Sequence, residues 1–562
     1  MTLSSGTRAV EGNLNLAIQA ILLRSQEHPT LFRTAVLLST ALIIWRLWKF
    51  TLYPILHPTE PKELPSWIPS KFSSHGFAFF HNSQAFLAKA TKAIGGKDPF
   101  AVTVFGSHFY IITQPKQTIE VYKNVDSLSF EEFLIGLMKY LNLTDHTLQA
   151  VFETRLPRDK PGFPNPDGKA LGHFVRDMHH RQLYPGANLD TLEAVMVQWF
   201  DRYLHLDALQ TLCAPYSTSS SSSSSPATTG EANKASIEVP LVKWCSELFT
   251  RAGEQGYFGD SLAALDPDMA TTFLVYDELS WQVLYQYPRV FSRQMHAAMD
   301  RVQQTFVRYF RIPQAEREAQ GGAWFTTAIE NECRSLGIEE QDMARFMVMV
   351  YWVVSTNTRK AAYWILYYLL HDKPDLIEAI RQETAPAFDK DGKLVDLAYL
   401  HGGQCRNLEQ AWLETLRLSA NSASARVLTR DTVVGGKLLR RGGRILIPYR
   451  LLHFNKAGHG NTSSSGDDGP DINSFRPERF AGRESITRGP SWRPFGGGKT
   501  MCPGHFVAKR ETMIFVAMVL QRFHVELVGD GVLQPDLGKP VLGLADRKSG
   551  QEVTLRITPR TM

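Results

Sequence analysis

A cysteine set among glycines constrains this chain more than any other feature. Phe495-Gly496-Gly497-Gly498-Lys499-Thr500-Met501-Cys502-Pro503-Gly504 runs straight into a long apolar stretch, Val507 to Phe523, that reads as a helix. Glycines let backbone N–H groups turn toward a sulfur and let the chain lie flat on a planar macrocycle. A cysteine thiolate that ligates haem iron needs both. Taken alone, the segment also reads as a flexible glycine loop carrying an unreactive cysteine.

Upstream, the apolar helical run Leu408 to Leu418 contains Glu414-Thr415-Leu416-Arg417. The glutamate and arginine share a helix face and can pair, as many pairs on solvated helices do. Their order carries the information: next comes Arg426, then Phe475-Arg476-Pro477-Glu478-Arg479-Phe480, then the Cys502 loop. Over roughly residues 58 to 560 this order resembles the cytochrome P450 superfamily. The resemblance implies a mainly α fold with small β-sheets, preceded by an N-terminal membrane anchor. It further implies haem b, its iron held by the Cys502 thiolate, with Phe495, Gly498, Arg426 and Lys499 as cofactor-binding residues. Glu414, Arg417 and Arg479 become a buried structural network. Thr500 stands where most members place an arginine or histidine on a haem propionate, which leaves Arg426 as the best propionate partner and Lys499 as a weaker one. A clean W-x-x-x-R is missing, and the nearest basic cluster is Arg176, His179, His180 and Arg181.

The 562 residues, 43% of them apolar, suffice for a large core. Five cysteines, at 213, 245, 333, 405 and 502, are an odd number without a C-x-x-C pair. They argue against a disulfide framework and for a reducing compartment. A net charge of +5 is too mild to argue for nucleic acid and is compatible with an anionic membrane surface and an acidic redox partner. Leu31 to Trp48 is apolar apart from Arg33 and Arg46 near its ends, where long basic side chains snorkel. The expected organisation is an N-terminal segment at 1–30, an anchor at 31–50, a proline-rich hinge at 51–70 and a catalytic domain at 71–562. The run Leu14 to Leu23 reads either as interfacial or as a second hydrophobic helix. A buried or interfacial helix also remains an alternative for the anchor itself. Phe100 to Ile112 reads as a hairpin around Gly-Ser. Serine-rich and glycine-rich insertions near 217–235 and 457–471 read as disordered loops.

Met343 to Leu370 is long enough for the helix that crosses the haem in this superfamily. Counting back from Trp364, the position of the usual proton-relaying threonine holds Asn357, whose amide donates a hydrogen bond without readily shuttling a proton. A slip of one residue would make Thr356 or Thr358 the relay, so Asn357 and Thr358 are the catalytic candidates. The asparagine, the short link from Glu414 to Arg426, Thr500 and the run Ala361-Ala362-Tyr363-Trp364-Ile365-Leu366 resemble the branch of cholesterol 7α-hydroxylase, oxysterol hydroxylases and prostacyclin synthase. Substrate-facing candidates by family position are Val353, Val354, Ala423, Ser424, Leu542 and Leu544, all of which read equally as core.

The leading expectation is a monooxygenase that oxidises a lipophilic sterol, terpenoid or other specialised metabolite, similar to fungal members. No fused flavin domain is read in the chain, so its electrons come from NADPH through a separate NADPH-cytochrome P450 reductase, with cytochrome b5 as a further candidate partner. Its expected place is the endoplasmic reticulum membrane, single-pass, with the catalytic domain facing the cytosol. The alternative enzyme is a reductase-independent isomerase or dehydratase acting on a peroxide. A non-enzymatic haem-binding or membrane scaffold is the third reading, opposed by the intact Glu414, Arg417, Arg479 and Cys502.

Overall fold

The computed structural model describes residues 28–68, 75–160, 162–213, 236–455 and 472–560. The insertions near 217–235 and 457–471, the run Leu14 to Leu23 and nearly all of the segment 1–30 lie outside the described residues.

Among the described residues the architecture is mainly helical with three small sheets. The largest has six strands in the order Lys62–Glu63, Phe100–Val104, Ser107–Ile111, Arg444–Pro448, Ala423–Leu428 and Leu128–Ser129. Its hairpin turns on Phe105 and Gly106, both at positive φ. The turn therefore lies one residue before the expected Gly-Ser, because a two-residue hairpin turn needs left-handed backbone at both central positions and Ser107 already belongs to the strand. A three-stranded sheet joins Phe523–Val528, Thr554–Pro559 and Ile237–Pro240, which ties the chain's last strand to the start of the Leu241–Phe258 helix. Lys437–Leu439 pairs with Thr432–Val434.

The expected apolar helix after the cysteine spans His505–Arg522 and is buried on every side from Glu511 to Gln521, as a helix apolar all round must be. The Glu414 helix spans Arg406–Ser419. It has no cap of its own; the Glu383 carboxylate accepts the N–H groups of Asn407 and Leu408 at 2.9 and 2.7 Å, which satisfies two otherwise orphaned donors.

Among the described residues one helix, Pro29–Leu56, is long and apolar enough to cross a membrane, and none of its hydrophobic window is buried. It runs through Thr51 to Leu56, where the proline-rich hinge was expected to begin. A π-helical turn at Trp48–Leu52 widens the ladder so that Pro54 enters near the start of a new turn, where its missing N–H and its ring cost least.

Candidate haem-thiolate site

Cys502 closes a loop that opens at Phe495. Its N–H donates to Phe495 O at 2.9 Å, and the Gly504 N–H is bonded to the sulfur. Gly498 has φ 61° and packs on Tyr122, whose Cβ would lie 3.0 Å from any Cβ added there, so the position needs glycine for both dihedral and space. A water-sized sphere reaches Cys502 and Met501, yet atoms crowd the sulfur closely enough that burial pushes the thiol up, while the Gly504 N–H pulls it down. Cys502 is thus both solvent-accessible and closely packed. Such a thiol ionises when a metal ion replaces its proton. His505 adds a contact from Nδ1 to Cys502 O at 2.9 Å.

Arg426 is only 5% exposed. It donates to Thr500 Oγ1 at 2.5 Å, to Ser424 Oγ at 2.8 Å and to Ala425 O at 2.6 Å, and it lies 4.9 Å from the centre of the Phe130 ring. Among the described residues no carboxylate pairs with it. Burial lowers its pKa, and only Tyr122 and Tyr449 oppose this. Arg493 repeats the pattern, and its buried Nε lacks a hydrogen-bond partner among the described residues. The Tyr122 and Tyr449 hydroxyls meet at 2.7 Å. A buried guanidinium and a half-buried one, neither paired with a carboxylate among the described residues, are costly; they fit a ligand that carries two carboxylates, as haem b does. Lys499 is exposed, and so are Arg176 and Arg181. His179 is bonded through Nδ1 to Val175 O and His180 lies against Tyr184.

The expected single helix over Met343 to Leu370 is two helices, Glu340–Ser355 and Thr358–Asp372, parted at Thr356 and Asn357. The reason is competition from side chains. Thr356 Oγ1 donates to Asp277 Oδ1 at 2.5 Å and Asn357 Oδ1 accepts the Leu544 N–H at 3.0 Å, so neighbouring elements pull the break open. Thr356 and Thr358 are buried, while Asn357 is partly exposed and Val353, one turn earlier, is 43% exposed. Val354 and Leu542 are half-buried and Ala423 is exposed. Ser424 and Leu544 depart from the substrate-facing expectation. Ser424 sits on the inner side of the strand alternation with its oxygen committed to Arg426, and Leu544 is 4% exposed in the core.

Thr358 likewise departs from a free relay role, because its hydroxyl bonds Glu511. Burial pushes the Glu511 carboxyl up to about 8, against the lowering effect of that bond. A carboxyl whose folded pKa is raised makes the folded state bind more protons than the unfolded state. Stability from this group is therefore full below the unfolded value of 4.5 and is lost as pH rises through about 8. Melting curves of the parent and Glu511→Gln should accordingly diverge as pH is raised from 5 toward 9, the parent losing ground; parallel curves would show that Glu511 titrates normally.

The network of Glu414, Arg417 and Arg479 is assembled. Arg417 Nε and Nη2 donate to the Glu414 carboxylate at 2.7 and 2.8 Å, Arg479 Nε reaches it at 3.4 Å and the Arg476 N–H at 3.1 Å. Glu414 and Arg417 are fully buried.

Several residues of the site escaped the sequence reading. Arg493 stands beside the loop in Trp492-Arg493-Pro494-Phe495. Arg359 and Lys360 are adjacent cations inside an apolar helix, a signal that could have been read. Both are buried against Asp277 and Asp546. Burial pushes these two carboxyls up, but Arg359 and Lys360 outweigh it and hold both below the usual range. Nothing local marks either aspartate.

A helical fold with small sheets, a closely packed thiol in a glycine-rich loop and two arginines without a carboxylate partner among the described residues, one buried and one half-buried, define a haem-thiolate protein. The chain belongs to the cytochrome P450 family, which residues 264–553 match, and it is a cytochrome P450 monooxygenase served by a redox partner. It is similar to the cytochrome P450 monooxygenase poxD of Penicillium oxalicum, 26% identical over 93% of this chain and 99% of that one. It is also similar to the 5-beta-cholestane-3-alpha,7-alpha-diol 12-alpha-hydroxylase of Sus scrofa, 24% identical over 57% of this chain and 66% of that one. Among solved structures, retinoic acid bound cyanobacterial CYP120A1 shares the fold with a TM-score of 0.60 at 16% identity, covering 86% of this chain and 96% of that one.

Proposed function

We propose that this chain is a membrane-anchored, reductase-coupled monooxygenase of a lipophilic polycyclic substrate, a sterol or terpenoid, in a fungal specialised-metabolite pathway. The observation that carries the reading is the apolar surface beside the helix break: Val353 is exposed and Val354 half-buried just before it, and half-buried Leu542 adjoins Gly543, which packs against the Asn357 amide. The Penicillium oxalicum relative supports the fungal setting, and the cholestane hydroxylase supports the sterol class and the sterol-hydroxylase branch.

Cys502 would hold the iron, and Arg426 with Arg493 the propionates, while Phe495 and Gly498 keep the loop close to the macrocycle. When bound, haem supplies the activation of dioxygen, which with two electrons and two protons places one oxygen atom in a C–H bond and releases the other as water. Val353, Val354 and Leu542 bind apolar substrate and exclude water. Asn357, its oxygen occupied by the Leu544 N–H, keeps Nδ2 as a hydrogen-bond donor. The Pro29–Leu56 helix anchors the protein in the endoplasmic reticulum with residues 71–562 on the cytosolic side, and the hinge shortens to 57–70. NADPH-cytochrome P450 reductase is the electron donor, with cytochrome b5 as a second donor.

An amide in place of a relaying hydroxyl also favours the second reading, isomerisation or dehydration of a peroxide. Reconstitution with sterol and terpenoid panels separates the two. Product is expected only with NADPH and reductase together, and turnover of a lipid peroxide without reductase would replace the first reading with the second.

A further inference from the structure

The break that carries Asn357 is held by a buried group of four charges. Asp277, on the Met269–Leu279 helix, accepts from Trp352 Nε1 at 3.1 Å, from Thr356 Oγ1 at 2.5 Å and from Arg359, and it lies 3.3 Å from Lys360 Nζ. Asp546 accepts from Arg359 Nη2 at 3.0 Å and from the Tyr363 hydroxyl at 3.0 Å. Arg359 and Lys360 balance the two carboxylates, and Arg547 Nη1 lies 3.3 Å from Asp546 at the partly exposed edge of the group, so neither carboxylate is left without a cation. Arg359 Nη2 bonds both carboxylates, with Lys360 Nζ 3.3 Å from one and 3.9 Å from the other, so the guanidinium joins the Met269–Leu279 helix, the broken helix and the turn at 543–546.

That turn is what orients the amide. The Leu544 N–H donates to Asn357 Oδ1, Trp364 Nε1 donates to Ala545 O at 2.9 Å, and the Ala545 N–H donates to Ser419 O at 2.7 Å. Gly543 lies so close that an added Cβ would stand 2.4 Å from Asn357 Oδ1. The position of the amide follows the turn, which Ser419 and Trp364 hold through the backbone of Ala545 and Arg359 holds through the side chain of Asp546.

We propose that Arg359 is a positioning residue for the oxygenation reaction. By gripping Asp277 and Asp546 it fixes the turn against Asn357, and so fixes where Nδ2 stands as a donor at the dioxygen site. The proposal rests on the reading that Asn357 faces that site. Asp277 and Asp546 act through Arg359, and Gly543 acts by leaving room for the amide.

Carbon monoxide bound to the reduced holoprotein is the probe, because its infrared stretch falls when a donor approaches its oxygen. The stretch is measured for the parent, Asn357→Leu, Arg359→Met, Arg359→Lys and Gly543→Ala, together with NADPH consumed in the presence of reductase without substrate. Asn357→Leu should raise the stretch, and an unmoved band in that variant alone would sink the reading of Asn357 on which the proposal rests. Where Asn357→Leu moves it, Arg359→Met and Gly543→Ala should move or broaden it in the same direction. They should also raise unproductive NADPH use several-fold, with Arg359→Lys partly restoring both. A parent-like band in Arg359→Met and Gly543→Ala would overturn the proposal. If Arg359→Met fails to retain haem, Asp546→Asn takes its place under the same two outcomes.

Discussion

Cys502→Ser is expected to abolish the red-shifted Soret band of the dithionite-reduced carbon monoxide difference spectrum and to reduce turnover to background. A serine hydroxyl does not ionise in this setting, whereas the thiol gives up its proton to a metal and returns electron density to it. The loop should survive the change, because the contacts that shape it are the Cys502 N–H to Phe495 O, the positive φ of Gly498 and the Tyr122 contact, none of which uses the sulfur. The variant should therefore remain folded, with a melting temperature close to that of parent protein stripped of haem. A band unchanged in position and height would remove Cys502 from the site and return the loop to the reading of an unreactive cysteine.

Glu414→Ala should be the most destabilising single substitution of those considered. It leaves the buried Arg417, and Arg479 beside it, without their carboxylate. Removing one partner of a buried pair costs about 3 to 5 kcal/mol, a large share of the roughly 5 to 15 kcal/mol that holds a domain folded. The measurement is soluble yield and haem-to-protein ratio after expression, both expected to collapse. Glu478→Ala, on the exposed side of the short Pro477–Phe480 turn that carries Arg479, should change stability by no more than about 0.5 kcal/mol. Equal haem loading in Glu414→Ala and the parent would show that the network is dispensable.

How much of this was legible beforehand differs from residue to residue. Cys502, Gly498, Glu414, Arg417 and Arg479 could be read because each sits in a short segment whose local chemistry is self-consistent, and their order along the chain does the rest. Arg426 was singled out as the cation left over once Thr500 was seen to carry no charge, and it is a buried arginine bonded to Thr500. The helix boundaries followed apolar periodicity, and they went astray where side chains compete with the ladder: at Thr356 and Asn357, and at Pro54, where a wide turn admits a proline. Ser424 and Leu544 were misplaced because family position gives proximity along an element without the face of the strand or turn.

The sequence by itself determined the thiolate loop, the haem-side network and the mainly helical class, because glycine dihedrals, paired charges one helical turn apart and apolar spacing are properties of contiguous residues. Only the tertiary structure decided what surrounds Asn357. Asp277 lies 82 positions before Arg359 and Asp546 lies 187 after it, and neither aspartate differs locally from a solvated one. A charge is forced to find a partner only when water is excluded from it, and that exclusion exists only after the Met269–Leu279 helix, the broken helix and the final turn have packed together.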